Sequence, residues 1–287
     1  MIIDFHTHTF PERIAASAVA KLQSASHTVA FSDGTDGGLL ASMQRAGVDA
    51  SVVLPVATNP LKLSSMNDSI LANEPDERLI RFGAMHPDAP DWQTEMNRLA
   101  ANGVKGIKLH PVYQGMDIDD ARSLRVLECA GKLGLIVVMH AGDDIGFPGV
   151  VRCSPAMTGN ALRQVGPVRL VMAHMGGWRN WDEVAALAEY PNAYIDTAFS
   201  LDAFTPLDDG HYAPGEEKLL TQEKALALIR AFGTKRVLFA TDSPWGDQAA
   251  EVRKIKALPL TAAEQEAILG QNARTLLKLS SSSLRTV

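Results

Sequence analysis

Residues 135–140 read LIVVMH, residues 168–174 read VRLVMAH, and the same form returns at 103–111 in GVKGIKLHP. Each is a short apolar run, rich in β-branched side chains, that ends on a histidine. Continuous runs of this kind suit parallel strands buried on both faces. Working outward, further runs lie at Ile2–His6, Ala50–Leu54, Leu79–Met85, Ala193–Thr197 and Arg236–Ala240. Helix-like amphipathic stretches lie between them, among them Asp119–Lys132, Trp181–Glu189 and Thr221–Phe232. Gly134, Gly166 and Gly233 stand where helix C-caps belong. Eight strands alternating with helices predict an α/β chain folded as a (β/α)8 TIM barrel. An open doubly wound sheet is the alternative, but it would have to accommodate eight strands, and the first turn has no GxGxxG.

The chain has 287 residues and is 46% hydrophobic, enough for a large core. No repeat, low-complexity tract or linker divides it, so one domain is expected over residues 1–279, with 280–287 a frayed tail. A final helix is expected over Thr261–Leu279, capped by Thr261 with Glu264 three residues on. Phe199–Lys218 is the longest irregular stretch, placed where a barrel carries lid loops. Basic and acidic residues number 27 and 33, a net charge of -6 with no basic block, which argues against nucleic acid or an anionic membrane. Two cysteines, Cys129 and Cys153, make no disulfide framework and fit a reducing compartment. The opening MIIDFHTHTF has no signal-peptide pattern, and no apolar run approaches the roughly 20 residues of a membrane helix. The expectation is a soluble, cytoplasmic protein with a small-molecule substrate; a homo-oligomer is left open.

The histidines carry the functional signal. Six of the eight, His6, His8, His86, His110, His140 and His174, fall at the ends of expected strands, whereas scatter would put about one there. In a barrel those ends converge on the face that holds the chemistry. His6 and His8 are two apart, so both imidazoles can share one face and reach one ion. Asp242 ends the eighth run in RVLFATDSP, as a ligand or as a turn residue before Ser243-Pro244. Three neutral imidazoles and a carboxylate suit Zn2+ or a similar divalent cation, with a position left for water.

With these motifs the chain resembles the amidohydrolase superfamily, and within it the amidohydrolase-2 branch that includes aminocarboxymuconate-semialdehyde decarboxylase. The resemblance rests on HxH after strand one, histidines after strands five and six, aspartate after strand eight, and the ending DSPWG…LPLTAAEQEAILGQNARTLLKL. It implies a distorted barrel with a divalent metal at its mouth, held by His6, His8, His140 and Asp242. It implies a catalytic or substrate-polarising imidazole at His174, a position that ligates metal in other branches. One Zn2+ is expected. Binuclear relatives carry a carboxylated lysine on strand four, so Lys108 is either that residue, with a second ion, or a charged lysine that binds a substrate carboxylate or caps the strand.

Other residues carry two readings each. His110 contacts substrate or hydrogen-bonds behind the ligands; His86 reads as structural. Glu12 is an extra ligand or an exposed acid at a helix start, favoured there by the helix dipole. Trp178 and Trp245 wall a pocket or simply pack. Arg152 is a candidate for an anionic substrate group, His27 and His211 read as loop residues, and Cys129 as inert packing.

The first choice of reaction is hydrolysis of a small amide, lactone or ester by a metal-activated water, with Asp242 as proton acceptor and His174 polarising the carbonyl. The alternative is non-oxidative decarboxylation at the same metal, with a basic residue such as Arg152 or Lys108 for the carboxylate. A barrel that binds metal without catalysis is the remote third, because structural zinc sites are usually closed and cysteine-rich.

Overall fold

The structure is a computed structural model and describes residues 1–73 and 76–280. Its strands are β1 (Ile3–Thr7), β2 (Ala50–Val53), β3 (Leu79–Arg81), β4 (Gly83–Ala84), β5 (Gly106–Leu109), β6 (Ile136–Met139), β7 (Arg169–Met172), β8 (Ala193–Asp196) and β9 (Val237–Leu238). Helices intervene between most of them, as the alternation of runs predicts. The expected third strand is two, broken at Phe82. The described residues form two compact units, one of 1–53, 76–80 and 196–280, the other of 54–73 and 81–195.

In the first unit β1 is buried along its whole length and pairs parallel with β2, Ile3 opposite Ala50 and Asp4 opposite Ser51. The register slips between Asp4 and Thr7. The other edge of β1 meets the segment that follows β9: Phe5 N–H donates to Phe239 O (2.8 Å) and Asp242 N–H to His6 O (2.8 Å). These two bonds set His6 and Asp242 side by side. Helices Glu12–Ser26, Asp36–Ala46, Gln222–Phe232 and Gln248–Ala257 flank this part, the last three capped by Thr35, Thr221 and Asp247. The expected capping box is formed, with Thr261 Oγ1 accepting from Glu264 N–H and Glu264 Oε2 from Thr261 N–H. The final helix is not continuous, however. Ala267–Gln271 is a π turn, and Ile268 O is thereby free of the regular ladder to accept from Phe239 N–H at 2.9 Å. The stretch Phe199–Lys218 holds no helix or strand, as expected, and is tied by bridges Ala203–Lys218, Leu201–Leu220 and Thr28–Pro206.

In the second unit β4 to β7, and β8 as far as Ile195, lie in chain order, each neighbour parallel. All four residues of β5 and of β6 are buried, which explains why their runs are uninterrupted and apolar apart from Lys108. Helix Ala121–Leu133 ends as expected on Gly134, at φ +68°. Gly166 does not cap its helix; Pro155–Gln164 ends on extended Val165, with Pro167 two residues on. Trp181–Glu189 is a 3-10 helix rather than an α-helix. Its buried residues are Val184 and Leu187, and a three-residue turn stacks such a pair on one edge. Of the described helices none is long and apolar enough to cross a membrane. Residues 281–287 of the expected tail lie outside the described residues.

Gly106 on β5 shows how closely the second unit is packed. A Cβ there would stand 2.4 Å from Ile136 O and 2.4 Å from the ring of Phe82, which is fully buried. Gly106→Ala should therefore lower unfolding stability by about 1–3 kcal/mol, read from urea denaturation. A midpoint equal to wild type would show that Phe82 does not hold the place ascribed to it.

Candidate metal centre

His6, His8 and Asp242 converge in the first unit. Their ligand atoms lie within 4.8 Å of one another. His6 Nε2 is 3.1 Å from His8 Nε2, and Asp242 Oδ1 is 3.4 Å from the first and 3.2 Å from the second. The side chain of His6 is buried, whereas those of His8 and Asp242 keep 15% and 14% of their surface, so the cluster has an open side. Behind it, His6 Nδ1–H donates to Asp196 Oδ2 at 3.0 Å, both side chains being buried. That bond places the proton on Nδ1 and leaves the lone pair of Nε2 facing His8 and Asp242, the usual arrangement of a metal-binding histidine. Two imidazole nitrogens and a carboxylate oxygen aimed at one point form a donor set for a divalent cation. Asp196, at the end of β8, carries no spacing signal; only its place at a strand end could have marked it.

Below the cluster Asp4 is wholly buried. Its Oδ1 accepts from His6 N–H (3.2 Å) and Thr241 N–H (3.0 Å), and its Oδ2 from Thr241 Oγ1 (2.6 Å) and Gln248 Nε2 (2.8 Å). Burial raises its pKa to about 6 against the opposing pull of those four bonds. Asp242 has φ +62°, a left-handed conformation that an aspartate adopts at a cost. It is thus a turn residue as well as a member of the cluster.

The second unit gathers its own group, His110, His140 and Asp144. Asp144 Oδ2 lies 3.4 Å from His110 Nε2 and 3.8 Å from His140 Nε2, and the two rings stack at 4.2 Å. His140 Nε2–H donates to Asp143 O at 2.9 Å, so its Nδ1 accepts from His174 Nε2–H at 3.0 Å. His174 also has left-handed backbone, φ +59°, and its carbonyl accepts from Trp181 Nε1–H. Lys108, on β5, is 1% exposed. Asp144 was not singled out from the sequence, where AGDD offers two adjacent carboxylates and no spacing to choose between them.

The remaining candidates lie outside these two groups. His86 Nδ1 accepts from Asp88 N–H, and burial lowers its pKa. Glu12 is exposed at the first residue of its helix. Arg152 donates to Asp117 Oδ1 at 3.0 Å, an ion pair that already answers its charge. Trp178 is buried, with the Arg179 guanidinium 4.8 Å over its ring. Trp245 lines a cavity of about 200 Å3 with Phe31, Phe199 and Phe204. His27 and His211 stack at 3.5 Å, with His27 Nδ1 bonded to Asp208. Cys129 lies in helix Ala121–Leu133, where burial raises its pKa.

The family model described as amidohydrolase matches residues 3–279. No curated protein matches the chain. Among solved structures, an uncharacterized TIM-barrel protein from Bordetella bronchiseptica superposes with TM-score 0.70 at 17% identity, over 96% of this chain and 98% of that one. A dihydroxybenzoic acid decarboxylase from Polaromonas, with bound manganese and 2-nitroresorcinol, gives 0.66 at 15% identity over 99% of both. A protein assigned as a 2-pyrone-4,6-dicarboxylic acid hydrolase, from Pseudomonas putida, gives 0.63 at 20% identity over 96% and 97%. Other similar structures include 5-carboxyvanillate and 2,6-dihydroxybenzoate decarboxylases. At these identities the likeness shows the fold, which is that of a TIM barrel.

Asp196 gives the geometry a direct test. If the cluster holds a divalent cation such as Mn2+, Asp196→Asn should weaken its binding roughly 10- to 100-fold, since it loosens the hold on His6 Nδ1–H. Chelator competition measures this, and an unchanged affinity would remove Asp196 from the site.

Proposed function

The chain belongs to the amidohydrolase family, and from that membership we propose that it is a metal-dependent decarboxylase acting on a small carboxylic acid. The observation that supports this most is the run of decarboxylases among structures of the same fold. It favours decarboxylation, the alternative read from the sequence, over hydrolysis, the first choice. His6, His8 and Asp242 are the proposed ligands, and the family resemblance adds His140. A divalent cation bound there would supply positive charge for the substrate carboxylate and a neighbouring oxygen. Both Mn2+ and Zn2+ suit imidazole and carboxylate donors, and manganese is the ion in two of the similar structures.

This chain's residues would do the rest. Asp196 holds the His6 ring in one tautomer, so the donor atom does not need to reorient on binding. In the reaction the bond from carbon to carboxylate breaks, CO2 leaves, and the carbon keeps the electron pair and takes a proton. His174 and Asp242, the two catalytic candidates of the sequence, are the groups proposed for that proton transfer. Arg152 and Lys108 are the two cations considered for a substrate carboxylate, and Arg152 is engaged by Asp117. Hydrolysis of a lactone is the competing reading, favoured by the Pseudomonas putida hydrolase of the same fold.

One assay separates the two. Protein loaded with Mn2+ or Zn2+ is given 2,6-dihydroxybenzoate, 5-carboxyvanillate, a pyrone lactone and an amide, with CO2 and titratable acid followed together. Decarboxylation predicts CO2 in step with loss of the carboxylate. A hydrolysis product without CO2 would overturn it. Metal content of His6→Ala, Asp242→Asn and His140→Ala, read by plasma mass spectrometry, should fall well below wild type. Full metal in the first two would make the assignment wrong.

A further inference from the structure

Helix Gln248–Ala257 turns two polar side chains inward, Gln248 and Glu251, one turn apart on the same face. Gln248 is fully buried and Glu251 nearly so. The bonds of the group are almost all accounted for. Gln248 Nε2 donates to Asp4 Oδ2 (2.8 Å) and Ser51 Oγ (3.3 Å). Lys254 Nζ donates to Glu251 Oε1 (2.7 Å), Leu201 O (2.8 Å) and Ala203 O (3.3 Å). Two buried oxygens of this group are left over, Gln248 Oε1 and Glu251 Oε2. Both are acceptors if Glu251 is ionised, and a buried acceptor with no donor is costly.

One proton removes both defects. We propose that Glu251 is held as a neutral carboxylic acid whose Oε2–H donates to Gln248 Oε1, making Glu251 a positioning residue for His6 and Asp242. The route runs through bonds already described. With its oxygen held by Glu251, the Gln248 amide keeps its nitrogen on Asp4. A reversed amide would turn its oxygen toward the Asp4 carboxylate. Asp4 in turn holds the backbone N–H of His6 and of Thr241, the residue before Asp242.

The charges around Glu251 agree with a neutral acid. Burial is the largest influence, raising its pKa to about 7; Asp4 from β1 and Asp247 from its own helix push the same way, and Lys254 opposes. A carboxyl raised in the folded state stabilises fully below its unfolded pKa, and the contribution is lost as pH rises through the folded value. The loss therefore falls between about pH 5 and 8. The metal-binding part of the proposal rests on the proposed function; the protonation part does not.

The test compares wild type with Glu251→Gln, in which an amide N–H replaces the acid O–H at every pH. In metal-free protein, the wild-type urea midpoint should fall relative to the variant between pH 5.5 and 8.5. Chelator competition should show the ratio of Mn2+ dissociation constants, wild type over variant, rising about fivefold over the same range. Carboxyl carbon NMR of glutamate-labelled wild type, which needs no variant, should show one glutamate titrating near neutrality. Parallel stability profiles with no such glutamate would overturn the proposal, as expected of an ionised Glu251 with both oxygens bridged by water. Diverging stability with a flat Mn2+ ratio would overturn the positioning role. A wild type that binds no Mn2+ would overturn the metal reading, while the metal-free profiles still judge the proton on Glu251.

Discussion

A parallel strand buried on both faces admits polar side chains readily only at its ends, and that constraint organises both units. The interiors of β6 and β7 are apolar, and the polar residues within the other runs are few: Asp4 and His6 in β1, Ser51 in β2 and Lys108 in β5. Imidazoles and carboxylates collect where the strands stop: His8 after β1, His110 after β5, His140 after β6 and Asp196 closing β8. The exceptions need support. Asp4, in the body of β1, accepts four hydrogen bonds, and burial still raises its pKa. Such a residue stands where it does because several backbone segments depend on it, here the ends of β1 and of the segment after β9.

The same constraint decides what could be read in advance. Uninterrupted runs reported the strands well, because burial on both faces leaves no alternation to misread. Thr221, Thr261 with Glu264, and Gly134 marked helix ends because capping is a local, side-chain-specific bond. The misses came from tertiary demands. The π turn at Ala267–Gln271 answers the N–H of Phe239, nearly thirty residues earlier in the chain. The break at Phe82 reflects a ring fitted over Gly106. Neither leaves a trace in local periodicity.

At the site, histidines and Asp242 were legible because imidazole is rare and its repetition at strand ends is improbable. Their carboxylate partners were not. Asp196 in AYID and Asp144 in AGDD look like any surface acid until a folded chain sets them beside His6 and His110. Asp196 fixes the tautomer of His6, and such partners are where much of a metal site's preorganisation resides. Left-handed backbone at both Asp242 and His174 has the same character, strain tolerated at residues of a candidate site.

The choice between CO2 loss and hydrolysis does not lie in the His6, His8 and Asp242 donors, since a cation held there would serve either reaction. It lies in what meets the rest of the substrate. In a TIM barrel that is the work of the loops after the strands. The long stretch Phe199–Lys218 is irregular yet fastened at both ends by bridges, and Thr28 ties it to the segment following the first helix. A loop held in this way presents fixed groups rather than a freely moving flap. On the proposed function, the side chains of that loop are the first to test for substrate selectivity.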